Sequence, residues 1–182
     1  MGVKGEKTKE LIRQEAYRLF AEKGFKEVTM KDICVRTGLS RGGLYRHYSG
    51  TAEIFAEILS EEYVIADRIE KKESATEILK DMLAEIKKEI PDKENSLSLA
   101  IYEYANQGNA AFFEEIHEKA KMRWNSLIEY GMESGEFRSV NADQVTDMIL
   151  YYYQGLRMWS RVVPFEEKTA EHFVQTVQEM LL

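Results

Sequence analysis

Proline is almost absent from this chain, and its scarcity limits the possible folds more than any other feature. The 182 residues contain two prolines, Pro91 and Pro164, and both lie where the apolar pattern breaks. Because proline interrupts helices, so few breaks among long runs rich in Leu, Ile, Glu and Lys predict an all-α protein. A sandwich or barrel would need many short strands separated by turn residues, and the sequence lacks that pattern.

Composition excludes several other classes of protein. Apolar residues make up 44% and charged residues 31% of the chain, which is typical of a globular protein. Cys34 is the single cysteine, so an intramolecular disulfide and a multi-cysteine metal site are excluded. We expect no metal and no cofactor. The chain opens without an apolar signal region and has no long uncharged apolar stretch, so we expect a cytoplasmic protein that does not enter a membrane.

The net charge of −7 hides an asymmetry along the chain. Residues 1–50 carry 11 Lys and Arg against 6 Asp and Glu, whereas residues 51–182 carry 14 against 26. A basic front part would approach nucleic-acid phosphates, and an acidic rear part would be repelled by them. The asymmetry therefore favours nucleic-acid binding by the front part, although a solvated lysine-rich surface is the simpler alternative.

Two short amphipathic helices are predicted in the basic part. The apolar stripe of the first is formed by Ile12, Ala16, Leu19 and Phe20. This helix is expected to stop at Gly24, and Phe25 just beyond it can fold back on Phe20. The second helix is expected to begin with Thr29 as its N-cap, with Asp32 three residues on, and to end at Gly38.

The spacing that follows is typical of a helix-turn-helix. Only three residues, Gly38 to Ser40, separate the second helix from a third, predicted over residues 41–47. Arginine can bind guanine bidentately, and Tyr and His can reach phosphate oxygens. The third helix carries such donors at Arg41, Tyr45, Arg46 and His47.

Two adjacent glycines in the third helix favour DNA binding over a purely structural role. Gly42 and Gly43 each cost about 1 kcal/mol of helix propensity, and close approach of the backbone to DNA would explain that cost. The residues alone leave open the alternative of a structural helical hairpin with a polar third helix.

Three stretches keep a familiar order and spacing: Leu19-Phe-Ala-Glu-Lys-Gly-Phe25, Val28-Thr-Met-Lys-Asp-Ile33 and Gly38-Leu-Ser-Arg-Gly-Gly-Leu-Tyr-Arg-His-Tyr48. Over about residues 8–59 the sequence resembles the DNA-binding domain of the TetR family of bacterial repressors. The DNA-contacting residues that the resemblance implies are Thr29, Ser40, Arg41, Gly42, Tyr45, Arg46 and His47.

The resemblance also implies what these residues do. Thr29 would cap the second helix and contact a phosphate. Ser40, Arg41 and Gly42 would open the recognition helix. Tyr45 and His47 would bind phosphates, and Arg46 would reach base edges.

Two positions depart from the family. Gly43 stands where Thr, Ser or Asn is common, and Thr51 stands where a Lys commonly opens the fourth helix. One side-chain contact and one phosphate clamp are therefore expected to be missing or replaced.

The rest of the chain is predicted to be a second, purely helical domain. The first domain is placed at residues 1–50, continuing to about 59, and the ligand-binding and dimerisation domain at 51–182. A long helix is expected from Thr51 to near Lys72. Further helices are expected at about 74–89, 93–107, 109–134, 141–162 and 166–181.

The last two predicted helices are unusually apolar. Residues 145–163 are apolar on nearly every side, and the final helix adds Phe173, Val174, Val177, Met180 and Leu181. The resemblance implies that these helices, about residues 141–181, pair with their copies in a homodimer. A two-fold dimer suits a palindromic double-stranded DNA operator with two half-sites. The alternative is that they form the core of a single chain.

The region of residues 99–130 is rich in aromatic residues, and in the family it encloses a small-molecule pocket. The candidate ligand-binding residues are Tyr102, Glu103, Phe113, Trp124 and Tyr152. Such walls suit an apolar or aromatic effector, and Glu103 or Glu114 suits a cationic one. Ordinary packing is the alternative for each residue.

Two classes of function are compatible with these observations. The resemblance implies a ligand-responsive repressor, and a small helical enzyme or carrier is the other class. An enzyme would need a catalytic constellation, and the sequence offers none, since His117 and His172 both lack a second ligand at metal-binding spacing.

Overall fold

The computed structural model describes residues 3–60, 65–92, 94–163 and 166–182. The described residues form ten helices and no strand, which confirms the predicted all-α class. The helices are α1 (Val3–Lys23), α2 (Met30–Thr37), α3 (Arg41–Tyr45), α4 (Thr51–Leu59), α5 (Ala66–Glu70), α6 (Ala75–Glu89), α7 (Ser98–Ala105), α8 (Ala110–Glu133), α9 (Ala142–Trp159) and α10 (Glu167–Leu181). None of these helices is both long and apolar enough to cross a membrane.

The chain folds as two compact units. The first contains Met1–Glu62 and Glu94–Ala110, and the second contains Tyr63–Lys93 and Ala111–Leu182. The first unit therefore combines α1 to α4 with α7, a helix from the middle of the chain. Nothing in the apolar periodicity indicated that residues 94–110 return to the first unit.

The long helix expected from Thr51 to near Lys72 was a wrong prediction. α4 ends at Leu59, and α5 begins only at Ala66, with residues 61–64 outside the described part. At this end of α4 the backbone of Ser60 leaves the helical conformation, with φ of −89° and ψ of 1°, and the Ser60 hydroxyl donates to the carbonyl of Ala56 at 2.7 Å. Apolar periodicity indicates the buried side of a helix but not the residue at which its backbone turns. α7 is likewise shorter than the expected helix over residues 93–107.

Four aromatic rings form the centre of the first unit. The ring centroid of Phe25 lies 5.7 Å from that of Phe20, so the predicted fold-back after Gly24 is confirmed. Phe55 of α4 lies 4.8 Å from Phe20 and 5.2 Å from Phe25. Tyr104 of α7 completes the cluster at 4.7 Å from Phe25 and 5.2 Å from Phe55. This aromatic cluster holds α1, α4 and α7 together.

Glu57 of α4 joins the same unit through polar contacts. Its carboxylate accepts from the Lys9 ammonium at 3.3 Å and from the Arg13 guanidinium at 3.1 Å, both on α1. The Tyr48 hydroxyl donates to the same carboxylate at 3.0 Å. Glu57 therefore ties α4 both to α1 and to the chain that leaves α3.

The core of the second unit is built from α6, α8, α9 and α10. α10 contributes Phe173, Val177 and Leu181, all of which are fully buried in that core. The sequence left open whether these residues form a dimer interface or the core of a single chain. These three residues lie in the core of the single chain. The free side of α10 is polar, whereas α9 keeps apolar residues on its exposed side.

The start of α6 is held by a carboxylate from the turn that follows α8. Glu136 accepts from the Ser74 hydroxyl at 2.5 Å and from the backbone N–H groups of Ala75 and Thr76 at 3.0 Å each. The first-turn N–H groups of a helix have no partner within the helix, so this carboxylate acts as a cap from outside. These hydrogen bonds, the one from Ser74 above all, lower the pKa of Glu136 from 4.5 to about 2.

We expect Glu136→Gln to lower the free energy of unfolding by about 1 kcal/mol at neutral pH, as for the loss of a helix cap. Because the folded-state pKa lies below the ordinary value, the carboxylate stabilises the fold above about pH 5. That contribution is lost as the pH falls toward about 2. Denaturant titrations at several pH values should therefore show the difference between variant and wild type narrowing on acidification.

The matched control is Glu133→Gln, which removes the same charge from an exposed side chain one turn earlier. Its free energy of unfolding should stay close to the wild-type value at every pH. A Glu136 variant whose deficit is the same at pH 7 and at pH 3 would show that the carboxylate charge is not what holds α6.

Candidate nucleic-acid interface

α2 begins at a complete capping box. The Thr29 Oγ1 accepts from the Asp32 N–H at 3.3 Å, and the Asp32 carboxylate accepts from the Thr29 N–H at 2.9 Å. The Thr29 hydroxyl also donates to Asp32. These bonds from Thr29 lower the pKa of Asp32. The predicted cap is therefore present, and the Thr29 hydroxyl proton would have to turn away from Asp32 to meet a phosphate.

The predicted turn between α2 and α3 is confirmed. Gly38 ends α2 with φ of 70° and ψ of 11°, a left-handed conformation that favours glycine. Ser40 caps α3, since its hydroxyl oxygen accepts from the Gly43 N–H at 3.1 Å. On α3 the buried side is formed by Leu44, which is fully inaccessible to solvent. The opposite side of α3 faces outward.

α3 is shorter than the predicted helix over residues 41–47. It ends at Tyr45, and Arg46 and His47 lie in the turn that follows. The N–H groups of His47 and Tyr48 both donate to the carbonyl of Leu44, at 2.9 and 3.1 Å. This tight turn carries Tyr48 into the interior, where its ring is 1% exposed. The need to bury Tyr48 explains why the helix stops early.

The candidate base-reading side chains are exposed. Arg41 and Arg46 both lie on the surface, and Tyr45 between them is 47% exposed. Among the described residues, neither guanidinium has a hydrogen-bond or ion-pair partner. By contrast, Arg18 and Arg36 are both paired with Glu15. Arg41 and Arg46 therefore keep their donors available for a ligand outside the chain.

The two glycines of α3 have different surroundings. A Cβ atom added at Gly42 would meet nothing within 4 Å, so its place in the fold does not require a glycine. A Cβ at Gly43 would lie 3.2 Å from the Oγ of Ser40 and would press on the cap of α3. A side chain at position 43 would therefore crowd Ser40.

The start of α4 carries a carboxylate that sequence reasoning missed. Glu53 accepts from both the N–H and the hydroxyl of Ser49 at 2.7 Å, and the backbone bond above all lowers its pKa. The spacing of Ser49 and Glu53 across the N-cap Gly50 was the available signal. With Thr51 in place of a lysine, this helix start carries negative rather than positive side-chain charge.

The candidate ligand-binding residues have varied environments. In the first unit, Tyr102 is 59% exposed, and Glu103 accepts from the Lys26 N–H at 2.9 Å. In the second unit, Trp124 is 2% exposed and belongs to the core, and Tyr152 packs its ring 5.2 Å from that of Phe173. The ring of Phe113 lies 5.5 Å from its neighbour Phe112. A ligand-binding role for all five residues remains a prediction.

A shallow cavity of about 220 Å³ lies elsewhere in the first unit. Its walls include Arg13 and Tyr17 of α1, Ile58 of α4, and Asn95. None of these residues was a candidate from the sequence, and Asn95 joins the cavity only because residues 94–110 return to the first unit.

Residues 12–58 match the model of the tetR family of bacterial regulatory proteins. This stretch begins in α1 and ends in α4, so it contains the complete helix-turn-helix and the cap residues described above. The matched region and the capped α2–α3 pair therefore coincide.

Curated relatives and solved structures agree with this match. The chain is 29% identical to the HTH-type transcriptional regulator YfiR of Bacillus subtilis, over 71% of this chain and 67% of that protein. It is 24% identical to the HTH-type transcriptional repressor KstR2 of Mycobacterium tuberculosis, over 68% of this chain and 66% of that protein. The alignments thus span about two thirds of each relative's length.

The fold of the chain is also similar to that of solved structures. A TetR transcription regulator from Haloarcula marismortui superposes with a TM-score of 0.73 at 24% identity, covering 97% of this chain and all of that one. The family match, the regulator relatives and the helix-turn-helix geometry support one conclusion. Residues 12–58 therefore form a DNA-binding domain of the tetR type, and the chain is a DNA-binding transcriptional regulator.

Proposed function

We propose that this regulator is a ligand-responsive repressor that binds a palindromic operator as a homodimer. The observation that carries the proposal is the exposed surface formed by α3 and the turn after it, where Arg41 and Arg46 lack partners among the described residues. The relative KstR2 is named as a repressor, which supports this sign of regulation. Because its proposed target is operator DNA, the protein would work in the cytoplasm.

In the proposed complex α3 lies in the major groove. Arg41 and Arg46 donate to base edges, and Ser40, Tyr45 and His47 contact phosphates on either side. The N-terminus of α2 meets a phosphate through Thr29. Gly42 allows the backbone to come close to the DNA. The two copies of α3 must then lie about 34–36 Å apart, one turn of DNA.

The exposed stripe of α9 is the surface that we assign to the homodimer. Tyr151, Met158, Trp159 and Val162 are between 39% and 72% exposed, and they share one side of the helix and its end. Gly155 lies on the same side and would let a partner helix approach closely. Exposed apolar stripes of this kind mark protein–protein contacts. On α10 only the polar outer side remains available for the partner.

The effector is proposed to be a small apolar or aromatic molecule, with Phe113, Trp124 and Tyr152 as candidate contacts in the second unit. To move the protein from mostly DNA-bound to mostly released, the effector must bind the released state more tightly by roughly 10⁴-fold, or about 5.5 kcal/mol. Effector binding frees the DNA only if the DNA-bound and released states differ in their affinity for the effector.

The first test concerns the two unpaired arginines. Arg41→Ala and Arg46→Ala should each weaken operator binding by about 1–3 kcal/mol and relax base preference at one position, because each loses a bidentate contact. The measurement is a titration by fluorescence anisotropy with palindromic fragments from the promoter upstream of the gene. Arg18→Ala removes the same charge from α1 and should leave base preference unchanged. If no such fragment is bound at low salt, the repressor proposal is wrong.

The second test concerns Gly42. Because a Cβ there meets open space, Gly42→Ala should leave the free energy of unfolding unchanged or raise it by up to about 1 kcal/mol. The same methyl group should lower operator affinity by standing between the backbone and the DNA. Thermal unfolding and anisotropy titrations on one preparation separate the two effects. Unchanged operator affinity would show that the DNA does not approach α3 at this point.

The third test concerns the dimer. Val162→Glu places a charge on the exposed stripe of α9 and should shift the protein from dimer to monomer at micromolar concentration, as measured by sedimentation velocity. The matched control is Val35→Glu, which makes the same substitution at a valine of α2 that is 75% exposed. A Val162 variant that sediments as the wild-type dimer would place the interface elsewhere.

A further inference from the structure

Three of the contacts that join residues 94–110 to the rest of the first unit involve Tyr17, Tyr104 and Glu103. The Tyr17 hydroxyl of α1 donates to the backbone carbonyl of Asn95 at 2.7 Å. Tyr104, only 7% exposed, supplies the fourth ring of the aromatic cluster. The third attachment is made by Glu103, the residue next to Tyr104 and one of the candidate ligand contacts from the sequence.

Glu103 holds the turn between α1 and α2. Its Oε2 accepts from the backbone N–H of Lys26 at 2.9 Å. The same oxygen would lie only 2.6 Å from a Cβ atom at Gly24, whose φ is 81°. Gly24 is therefore required twice, for its left-handed backbone and for the close approach of the carboxylate. The backbone of residues 24–26 therefore lies directly against the Glu103 carboxylate.

This turn sets where the helix-turn-helix begins. Phe25 and Val28 are 6% and 4% exposed, so the turn is packed inward on both sides of Lys26. Thr29, the N-cap of α2, follows directly. A displacement of the turn therefore moves the start of α2, and α3 follows after only three residues.

The chain reaches Glu103 from the second unit and returns to it. Residues 63–93 precede the segment and residues 111–182 follow it, and both stretches belong to the second unit. The segment is thus the part of the first unit that is covalently joined at both ends to the proposed effector-binding part.

We propose that Glu103 is a positioning residue for operator binding rather than an effector contact. Its carboxylate fixes the turn of residues 24–26 and thereby the start of α2, so the placement of α7 sets how well α3 fits the operator. This inference rests on the proposed function, because it assumes a specific palindromic operator.

The sign of the effect separates positioning from plain electrostatics. Removal of a negative charge from a DNA-binding unit should, by itself, strengthen binding to any DNA, since phosphates are repelled less. Loss of a positioning contact should instead weaken binding to the operator alone. The ratio of operator affinity to non-specific affinity is therefore the informative quantity, and a uniform loss of folded protein leaves it unchanged.

The experiment uses the full chain and compares Glu103→Ala with the matched control Glu27→Ala, which removes the same charge from an exposed residue of the same turn. Both variants are titrated with the operator fragment and with a scrambled fragment, at temperatures where circular dichroism shows them folded. Glu103→Ala should lose about tenfold in operator affinity, as expected for a charge-assisted hydrogen bond. Its affinity for the scrambled fragment should change by less than about twofold, as should the operator affinity of Glu27→Ala.

The remaining outcomes distinguish a failure of the proposed function from a failure of this inference alone. If the wild-type chain binds no palindromic fragment, the proposed function fails and this inference fails with it. If the wild type binds and Glu103→Ala binds equally well, or binds both fragments more tightly, only this inference is wrong. Should Glu103→Ala not fold, Glu103→Gln replaces it: the amide keeps an oxygen acceptor, so a loss of about threefold, confined to the operator, is expected. Wild-type selectivity of the Gln variant would overturn the proposal.

Discussion

The packing of four aromatic rings is the interaction on which the DNA-binding unit depends. Phe20, Phe25, Phe55 and Tyr104 come from α1, the turn after it, α4 and α7, and their centroids lie 4.7–5.7 Å apart. Burial of an aromatic side chain is worth about 1.5–3 kcal/mol, and edge contacts between rings add to it. α2 and α3 are too short to be stable alone, so they depend on packing against the rest of this unit.

The net charge of the first unit does not show which of its basic side chains are paired with carboxylates. Several basic side chains are neutralised within the unit: Lys9 and Arg13 by Glu57, and Arg18 and Arg36 by Glu15. These pairs brace α1 against α2 and α4. The excess of positive charge in residues 1–50 therefore overstates what DNA would meet, and the available guanidinium groups are concentrated at α3.

Local features could be predicted from the sequence, and contacts between distant segments could not. The caps at Thr29 and Ser40 and the stop at Gly38 follow from short-range hydrogen bonds and backbone sterics, so neighbouring residues were sufficient. The break after Leu59 was missed because the apolar rhythm continues through residues 54–65, and no glycine or proline marks the turn at Ser60. The hydrogen bond that Glu103 accepts from the Lys26 N–H could not be predicted, because the two residues lie 77 positions apart.

The geometry of α3 is held by few interactions, and this has a consequence for regulation. α3 has five residues, two of them glycines, so helix propensity contributes little to its stability. Its orientation instead rests on the Ser40 cap, the burial of Leu44 and the placement of α2 before it. A displacement of the turn that precedes α2 therefore moves α3 without unfolding a stable helix. A helix with strong intrinsic propensity would resist such a change, and a short one held by its neighbours follows them.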